Sequence, residues 1–256
     1  MAHSSKAATE LLRWYAAMGV DEAIADRPQD RLAPPVAAPA APAAPRPAPP
    51  PSPAPSGGAR AAAQAAQTLA ELELAVAGFE GCALKRTATH TVFADGIAGA
   101  PLMIIGEAPG ADEDRLGRPF VGRSGQLLDR MLAAIGFDRR RNAYITNVLF
   151  WRPPGNRKPT NEEIATCLPF VWRHMELLRP RVVLLCGGTA TAALLGRADG
   201  ITRLRGRWFE LAVPGLDAAV PALATYHPSF LLRAPARKGE AWRDLLAVQA
   251  KLECLE

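Results

Sequence analysis

Beyond residue 60, short apolar runs alternate with stretches in which apolar residues recur at helical spacing. Four of the runs have the length and composition of buried parallel strands, at 101–106, 143–148, 181–186 and 220–225. This alternation predicts an α/β fold, a three-layer α/β/α sandwich with a mainly parallel central sheet. In such sheets the binding sites lie beyond the carboxyl ends of the strands.

The helical stretches between these runs have identifiable ends. Apolar residues at helical spacing run from Leu127 to Ile135, and Thr160 with Glu163 forms a capping box for the next helix. Pro169 lies inside that next helix, and we expect it to kink the helix or to delay its start. Two further helices are predicted at 189–195 and 239–252.

The chain divides into three parts of different composition. Residues 33–60 form a window of 28 residues with 11 prolines and 10 alanines, which is typical of an extended, disordered linker. In residues 1–32 we predict a short amphipathic helical segment, and residues 5–28 within it would dock on a protein partner or on the chain's own domain. The alternative for this segment is a weakly ordered tail. The folded domain is predicted to span 61–256.

Composition narrows the class of protein without identifying it. The chain carries 30 Lys and Arg against 25 Asp and Glu, a net charge of +5, which fits a polyanionic partner but is common at this length. No apolar run approaches the roughly 18 residues of a membrane span, and no N-terminal stretch resembles a secretory signal. The four cysteines are scattered, unlike a disulfide framework. We expect a soluble, cytoplasmic monomer with no membrane association.

Three motifs carry the chemistry: the segment Gly106–Gly125, the run Ile145–Val148 with the loop Arg152–Arg157 after it, and the segment His227–Arg233. Together and in this order they resemble the family-4 uracil-DNA glycosylases, and the resemblance covers residues 78–252. It implies a base-excision repair enzyme that hydrolyses the N-glycosidic bond of uracil in DNA, leaving free uracil and an abasic site. Such an enzyme is monofunctional and requires no cofactor for its chemistry, and the motifs place no lysine as a Schiff-base nucleophile.

The resemblance assigns the base pocket to particular residues. A base on which an enzyme acts must leave the stack, and the pocket then stacks on its face and reads its Watson–Crick edge. Phe120 would supply the stacking surface, and the backbone of Glu107, Ala108 and Pro109 would line the pocket. Asn147 offers a donor to O4 and an acceptor to N3–H of uracil. Cytosine has the reverse pattern and would leave buried groups unpaired.

Two side chains are assigned to the reaction itself. His227 would donate a hydrogen bond near O2 of uracil as negative charge develops on the departing base. Glu107 would orient the attacking water or stabilise the positive charge on the sugar, and both roles stay open. Glu113 and Asp114 are expected to fix the loop by hydrogen bonds. The other histidines are expected to be structural: His3, His90 and His174.

The residues after His227 are assigned to DNA contact. Ser229, Phe230 and Leu231 would lie on a loop whose apolar side chains fill the gap that the flipped base leaves in the duplex. For Leu232, an interpretation as part of a helix packed on the core is nearly as good. Arg233 is expected to contact a phosphate. Further candidates for phosphate contact are Arg203, Arg205, Arg207, Arg237 and Lys238.

The chain departs from the family at the cysteines. Typical family-4 enzymes hold a 4Fe–4S cluster on four cysteines, and the corresponding positions here are Phe79, Cys82, Trp151 and Cys167. Such a cluster needs four ligands, and neither Phe nor Trp ligates iron. We therefore expect the cluster to be absent or degenerate, its place filled by the two rings and the two thiols, with each large ring contributing about 2–3 kcal/mol by burial.

Two other functions are weighed against this one. A non-catalytic DNA-binding relative of the same fold, recruited through its N-terminal segment, would follow if cluster loss marked functional drift. The intact set Glu107, Phe120, Asn147 and His227 argues against drift. A generic nucleotide-binding enzyme is disfavoured because the chain has no phosphate-binding loop with a lysine and no Gly-x-Gly-x-x-Gly after the first strand.

Overall fold

The computed structural model describes residues 57–255. The predicted N-terminal segment and nearly all of the predicted linker lie outside the described residues, as does His3. The first described helix, α1, begins at Gly57, inside the window that the composition assigns to the linker. The boundary of the folded domain at residue 61 stays a prediction.

A six-stranded sheet forms the centre of the described part of the chain. Its order is β1-β3-β2-β4-β6-β5, in which β3, β2, β4 and β6 run parallel and the two edge strands run antiparallel to their neighbours. The predicted fold class with a mainly parallel sheet is confirmed. The strands are β1 (Ala94–Gly96), β2 (Leu102–Gly106), β3 (Ala143–Asn147), β4 (Val182–Cys186), β5 (Trp208–Leu211) and β6 (Val220–Thr225).

Helices cover both faces of the sheet, which makes three layers. Met103 and Ile105 of β2 point into a core shared with α1, α2, α5 and α6, whereas Leu102 and Ile104 point into a second core with α4 and α9. The α-helices among residues 57–255 are α1 (Gly57–Ala65), α2 (Leu69–Gly78), α3 (Ala111–Leu116), α4 (Arg123–Ala133), α5 (Asn161–Leu178), α6 (Gly188–Leu195), α7 (Ile201–Leu204), α8 (Pro228–Arg233) and α9 (Lys238–Glu253).

The helix that contains Pro169 begins where its capping residues place it. Thr160 Oγ1 accepts from the backbone N–H of Glu163, and the Thr160 N–H donates to the Glu163 carboxylate at 2.8 Å. Helix α5 starts at Asn161 and continues past the proline to Leu178, so the expectation of a delayed start is wrong. The capping box satisfies the first N–H groups about two turns ahead of Pro169, and the proline therefore does not decide where the helix begins.

The parallel strands end level with one another, and this positions the site. Gly106 of β2 pairs with Asn147 of β3, and Cys186 of β4 pairs with Thr225 of β6. The residues that follow these strands therefore meet along one edge of the sheet. Within residues 57–255, no helix combines the length and the apolar character needed to cross a membrane.

Candidate active site

The ends of four adjacent strands meet in a continuous set of contacts. Asn147 closes β3, Glu107 follows β2, Thr189 follows β4 after a Gly-Gly turn, and His227 follows β6. Phe120 lies in the loop between α3 and α4. Its ring lies next to the Asn147 side chain at Gly106 and also stacks with the His227 ring. The structure thus brings together all four side chains that the sequence assigns to the base pocket and the reaction.

Gly106 makes room for the two side chains that face the predicted base pocket. A Cβ atom at this position would lie 2.5 Å from Cζ of Phe120 and would also overlap Oδ1 of Asn147. The ring and the amide therefore lie directly against the backbone of Gly106, at the end of β2. Any side chain there would displace both of them, which explains the glycine at this strand end.

Asn147 presents an unused acceptor. The residue is 1% exposed, and its Oδ1 has no hydrogen-bond partner among the described residues. Leaving a buried carbonyl oxygen unpaired costs about 1–3 kcal/mol, and a ligand or a water molecule that completes the bond would remove this cost. The oxygen lies beside the ring of Phe120, where a stacked base would present its edge.

Phe120 is held in an unusual backbone conformation. Its φ is +53°, in the left-handed region that bulky residues rarely occupy, and its side chain is buried. Gly125 packs against the Phe120 carbonyl so closely that any Cβ there would collide with it. One carboxylate oxygen of Glu113 accepts from the N–H groups of Val121 and Gly122, both at 2.9 Å. The expectation that Glu113 fixes this loop is confirmed.

Asp114 fixes a second part of the same motif. Its carboxylate accepts from the backbone N–H of Thr89 at 2.7 Å and from that of His90 at 3.2 Å. His90 Nδ1 in turn lies 2.7 Å from the Asp114 carbonyl oxygen. Both residues therefore tie the start of the domain to α3, as expected for structural residues.

His227 is arranged as a neutral hydrogen-bond donor. The backbone N–H of Ser229 points at His227 Nδ1 from 3.1 Å, and the Ser229 hydroxyl lies 2.8 Å from the same atom. Because a backbone N–H can only donate, Nδ1 is the acceptor and the ring proton sits on Nε2. Burial and the nearby Arg233 lower the pKa of His227 to about 4, which keeps the ring uncharged near neutral pH.

Glu107 is oriented by a residue that the sequence analysis missed. The hydroxyl of Thr189 donates to a Glu107 carboxylate oxygen at 2.5 Å. Gly187, with φ of +96°, makes the turn that brings Thr189 into place, and a Cβ there would lie 3.0 Å from Cβ of His227. The Cys-Gly-Gly-Thr sequence directly after a buried strand was the available signal, because it places a tight turn at the site edge of the sheet.

Ala108 and Pro109 lie where the sequence predicts, in the turn between Gly106 and the start of α3. Pro109 is buried and Ala108 is half-buried. The backbone carbonyl of Glu107 accepts from Leu149 N–H at 3.1 Å, which fixes this turn against the end of β3. Contact between these residues and the base stays a prediction.

The segment after His227 differs from the expected loop. Residues Pro228–Arg233 form helix α8, and Leu231 is 1% exposed in a core cluster with Leu127, Tyr226 and Ala241. The expectation of an exposed wedge is therefore wrong for Leu231, because a proline at the first helical position and the His227 cap start a helix that turns this side chain inward. Phe230 is half-buried against the Tyr226 ring, with centroids 4.8 Å apart.

The candidate phosphate contacts divide into paired and exposed side chains. Arg205 forms an ion pair with Asp244, which is 1% exposed and also accepts from Thr225 Oγ1 at 2.7 Å. This network braces the end of β6 from α9, so the expectation of a free phosphate contact is wrong for Arg205. Arg237 is exposed but pairs with Glu240 at 2.6 Å. The other candidates are exposed: Arg203, Arg207, Arg233 and Lys238.

The four positions at which the resemblance places cluster ligands form part of the hydrophobic core. Trp151 is 1% exposed, and its indole N–H donates to Thr91 Oγ1 at 3.0 Å. Phe79 packs edge-on against Phe170, and both rings belong to the core that contains Cys82 and Cys167. Hydrogen bonding from Cys167 lowers the pKa of the Cys82 thiol to about 7, so the two sulfur atoms are neighbours.

These residues do not fit an iron–sulfur cluster. Two thiols supply half the ligands of a cubane, and the other two positions carry rings that fill the space with carbon. Across residues 57–255, no group of three or more His, Cys, Asp and Glu side chains is placed to hold a metal ion.

Comparison with known proteins identifies the class. Residues 93–246 match the model of the uracil DNA glycosylase superfamily. The chain therefore belongs to this superfamily.

Several relatives are type-4 uracil-DNA glycosylases. The chain is 38% identical over 181 residues to a type-4 uracil-DNA glycosylase of Pyrobaculum aerophilum, covering 69% of this chain and 91% of that protein. It is 38% identical over 182 residues to the type-4 enzyme of Archaeoglobus fulgidus, covering 70% and 90%. It is 40% identical over 153 residues to that of Thermotoga maritima, covering 59% and 77%. The resemblance to family 4 is confirmed.

Proposed function

We propose that this chain is a uracil-DNA glycosylase that hydrolyses the N-glycosidic bond of uracil in DNA and leaves an abasic site. The observation that carries the proposal is the buried, unpaired Oδ1 of Asn147 beside the ring of Phe120. A hydrogen-bond acceptor next to an aromatic face suits a planar base with an N–H on its edge. Uracil has that group at N3, whereas cytosine has a bare nitrogen there.

Phe120 and His227 take different parts of the base. Their ring centroids are 5.4 Å apart, and a base sandwiched between two rings would need about 7 Å, two van der Waals contacts of about 3.5 Å. The base therefore stacks on Phe120 alone, and His227 meets it at an edge. There the Nε2–H donates to O2, which stabilises the negative charge that develops on uracil as the bond breaks.

Glu107 acts on the sugar side of the bond. Thr189 donates to one oxygen of the Glu107 carboxylate, and the other oxygen has no hydrogen-bond partner among residues 57–255. That second oxygen either orients the attacking water or stabilises the positive charge on the sugar. The reaction uses a neutral histidine, a carboxylate and water, and requires no cofactor. Because no lysine is within the motifs, cleavage of the DNA strand does not follow base removal.

DNA that contains uracil is the partner, and the remaining partner assignments are part of the same proposal. Ser229, Phe230 and Arg233 lie on α8 next to the pocket and contact the DNA strand, with Arg233 exposed to reach a phosphate. Residues 5–28 dock on a protein partner. The enzyme acts as a monomer in the cytoplasm, where free thiols such as those of its four cysteines persist.

The domain is also proposed to fold without an iron–sulfur cluster, with Phe79 and Trp151 packed at two of the ligand positions. Iron and acid-labile sulfide are measured on protein purified without oxygen. We expect less than about 0.1 iron per chain together with a sharp unfolding transition. About four irons per chain would contradict the proposal, whatever the catalytic result.

The activity is tested by incubating the protein with a single-uracil oligonucleotide, with and without EDTA, and then cleaving abasic sites with alkali. Uracil-dependent cleavage that survives EDTA, and that falls at least about 100-fold in both His227→Ala and Asn147→Ala, is expected. The matched cytosine oligonucleotide should remain intact. A well-folded wild type that binds this DNA but releases no uracil would overturn the proposal in favour of a non-catalytic DNA-binding relative.

A further inference from the structure

The loop that carries Phe120 is attached to the domain through the buried ring of Phe120 and also through its backbone. On its outer side lies a cleft of about 320 Å³, lined in part by Arg118, Asp129 and Arg140. Phe120 and Val121 also border this cleft, so the loop faces open space there. Phe120 nevertheless keeps a φ of +53°, which a bulky residue leaves readily unless the surroundings fix it.

Two oppositely charged side chains hold this backbone. The Glu113 carboxylate takes the N–H groups of Val121 and Gly122, as described above. The guanidinium of Arg139 takes the preceding carbonyls, donating to the Pro119 oxygen at 3.0 Å and to the Phe120 oxygen at 2.8 Å. The carboxylate thus binds the two N–H groups that follow Phe120, and the cation binds the carbonyls of Pro119 and of Phe120 itself, so the peptide group between Phe120 and Val121 is held at both its ends.

Arg139 is itself held rigidly. It is 9% exposed, and its other three N–H bonds go to Asp95 at 2.8 Å and to Asp129 at 2.9 and 2.7 Å. Asp95 belongs to edge strand β1 and Asp129 to helix α4, so the guanidinium connects two elements of the domain to the loop. All five of its donors are used, in a planar fork that an ammonium group cannot reproduce.

We infer that Arg139 is a positioning residue for uracil recognition: its five-bond clamp keeps the Phe120 backbone in the left-handed conformation that aims the ring at the base. This inference rests on the proposed role of Phe120 as the stacking surface. Arg139 touches neither base nor sugar, and it acts only through the loop.

The test is a double-mutant cycle with single-turnover uracil excision as the main readout. Arg139→Lys keeps the charge between two aspartates but loses the fork, and we expect excision to slow about 10- to 100-fold. Inhibition by free uracil should weaken by a similar factor, while affinity for uracil-free duplex DNA stays within about twofold. In the Phe120→Ala background, Arg139→Lys should cost less than about threefold, because the ring it positions is gone.

Arg118→Lys is the matched control. Arg118 pairs with the same Asp95 oxygen at 2.8 Å but lies on the surface and donates to neither loop carbonyl. Its substitution should leave excision and uracil inhibition unchanged. Asp129→Ala is the second variant, chosen because its side chain is half exposed and the core does not depend on it. Asp129→Ala should weaken inhibition by free uracil about threefold, because the Arg139 guanidinium loses its two hydrogen bonds to Asp129.

The possible failures are distinguishable. Equal losses from Arg139→Lys in both backgrounds, or a parallel loss of duplex affinity, would mean that Arg139 supports the fold in general and would overturn the inference. Full activity of Phe120→Ala would instead show that Phe120 is not the stacking surface, and the inference about Arg139 would fail with it. The wild-type protein is assayed for uracil excision in the same experiment, so a failure of the proposed activity itself is distinguished from both of these results.

Discussion

At the carboxyl edge of the sheet, the buried Oδ1 of Asn147 has no hydrogen-bond partner among the described residues. Around Cys82 and Cys167, by contrast, aromatic rings and thiols pack together as core. Both regions correspond to distinctive parts of the family pattern. The proposed base pocket has a residue at each position that the resemblance assigns to it, including Asn147. The cysteine region keeps two of four, and Phe79 and Trp151 take the other positions.

The difference follows from what each region must do. A pocket recognises a base through donors and acceptors at fixed places, and a substitution there changes the chemistry. A structural cluster contributes stability, which buried area also supplies. We therefore expect Trp151 to be tolerated at a ligand position without cost to the reaction, and we expect no side chain of different hydrogen-bonding pattern to replace Asn147. The following predictions are ordered from the largest expected effect to the smallest.

Asn147→Leu should separate activity from stability. We expect uracil excision to fall about 10³-fold, equivalent to about 4 kcal/mol, because the edge of the base loses its partner. The free energy of unfolding should stay the same or rise, since an unpaired buried oxygen is removed. Single-turnover kinetics and denaturant unfolding measure the two. A loss of stability larger than about 1 kcal/mol would show that the amide supports the fold.

Trp151→Ala should give the reverse result. Removing a fully buried indole is expected to lower the free energy of unfolding by about 3–5 kcal/mol. Excision measured well below the unfolding temperature should stay within about threefold of wild type, because Trp151 lies in the packed region and not at the strand ends. An excision rate that falls with stability fully retained would contradict the division of the molecule into these two regions.

The buried His174 extends the comparison to pH. His174 stacks on Phe93 and meets the Tyr144 hydroxyl at 2.6 Å, and burial lowers its pKa to about 3. The unfolded chain binds this proton near pH 6.5, so stability is complete above that pH. It is lost as the pH falls from 6.5 towards 3, by about 1.4 kcal/mol per pH unit.

His174→Phe should flatten that acid slope by about 1.4 kcal/mol per pH unit in denaturant unfolding between pH 6 and 4. Tyr144→Phe is the control: it removes the hydroxyl partner of His174 and costs about 1 kcal/mol at every pH, but it leaves the histidine buried and the slope unchanged. An unaltered slope in His174→Phe would assign the acid sensitivity to other groups.

Cys167→Ala should have the smallest effect. The thiol is fully buried next to Cys82, and its removal leaves a small cavity worth about 1 kcal/mol. Excision should not change. A collapse of folding in this variant alone, with Trp151→Ala tolerated, would indicate that the two thiols hold something that the packing does not.

The sequence predicts the centre of the fold better than its edges. The four parallel strands are long apolar runs, and all of them are present in the structure. The edge strands β1 and β5 were not predicted, because Ala94–Gly96 is three residues long and neither strand has a continuous apolar run. Such strands form because a neighbouring strand offers hydrogen bonds, which is information from the fold and not from the local sequence.

The same distinction holds within the site. Glu107, Phe120, Asn147 and His227 lie in motifs, and their convergence follows from the level strand ends. Arg139 could not be found in this way. It is one of three consecutive arginines, of which Arg140 and Arg141 are exposed, and its acceptors are scattered from position 95 to position 129. Leu231 was misassigned for the same reason, because only the packed helix shows which way it faces.

The bond from Ser229 N–H to His227 Nδ1 has a consequence for turnover. In the proposed reaction, His227 has its one proton on Nε2 and a pKa of about 4, so it hydrogen-bonds the leaving base without transferring that proton to it. The site therefore ends each cycle in the ionisation state in which it began, and no proton has to return from solvent before the next base enters. Base removal in this enzyme should accordingly show little dependence on buffer concentration and a solvent isotope effect close to one.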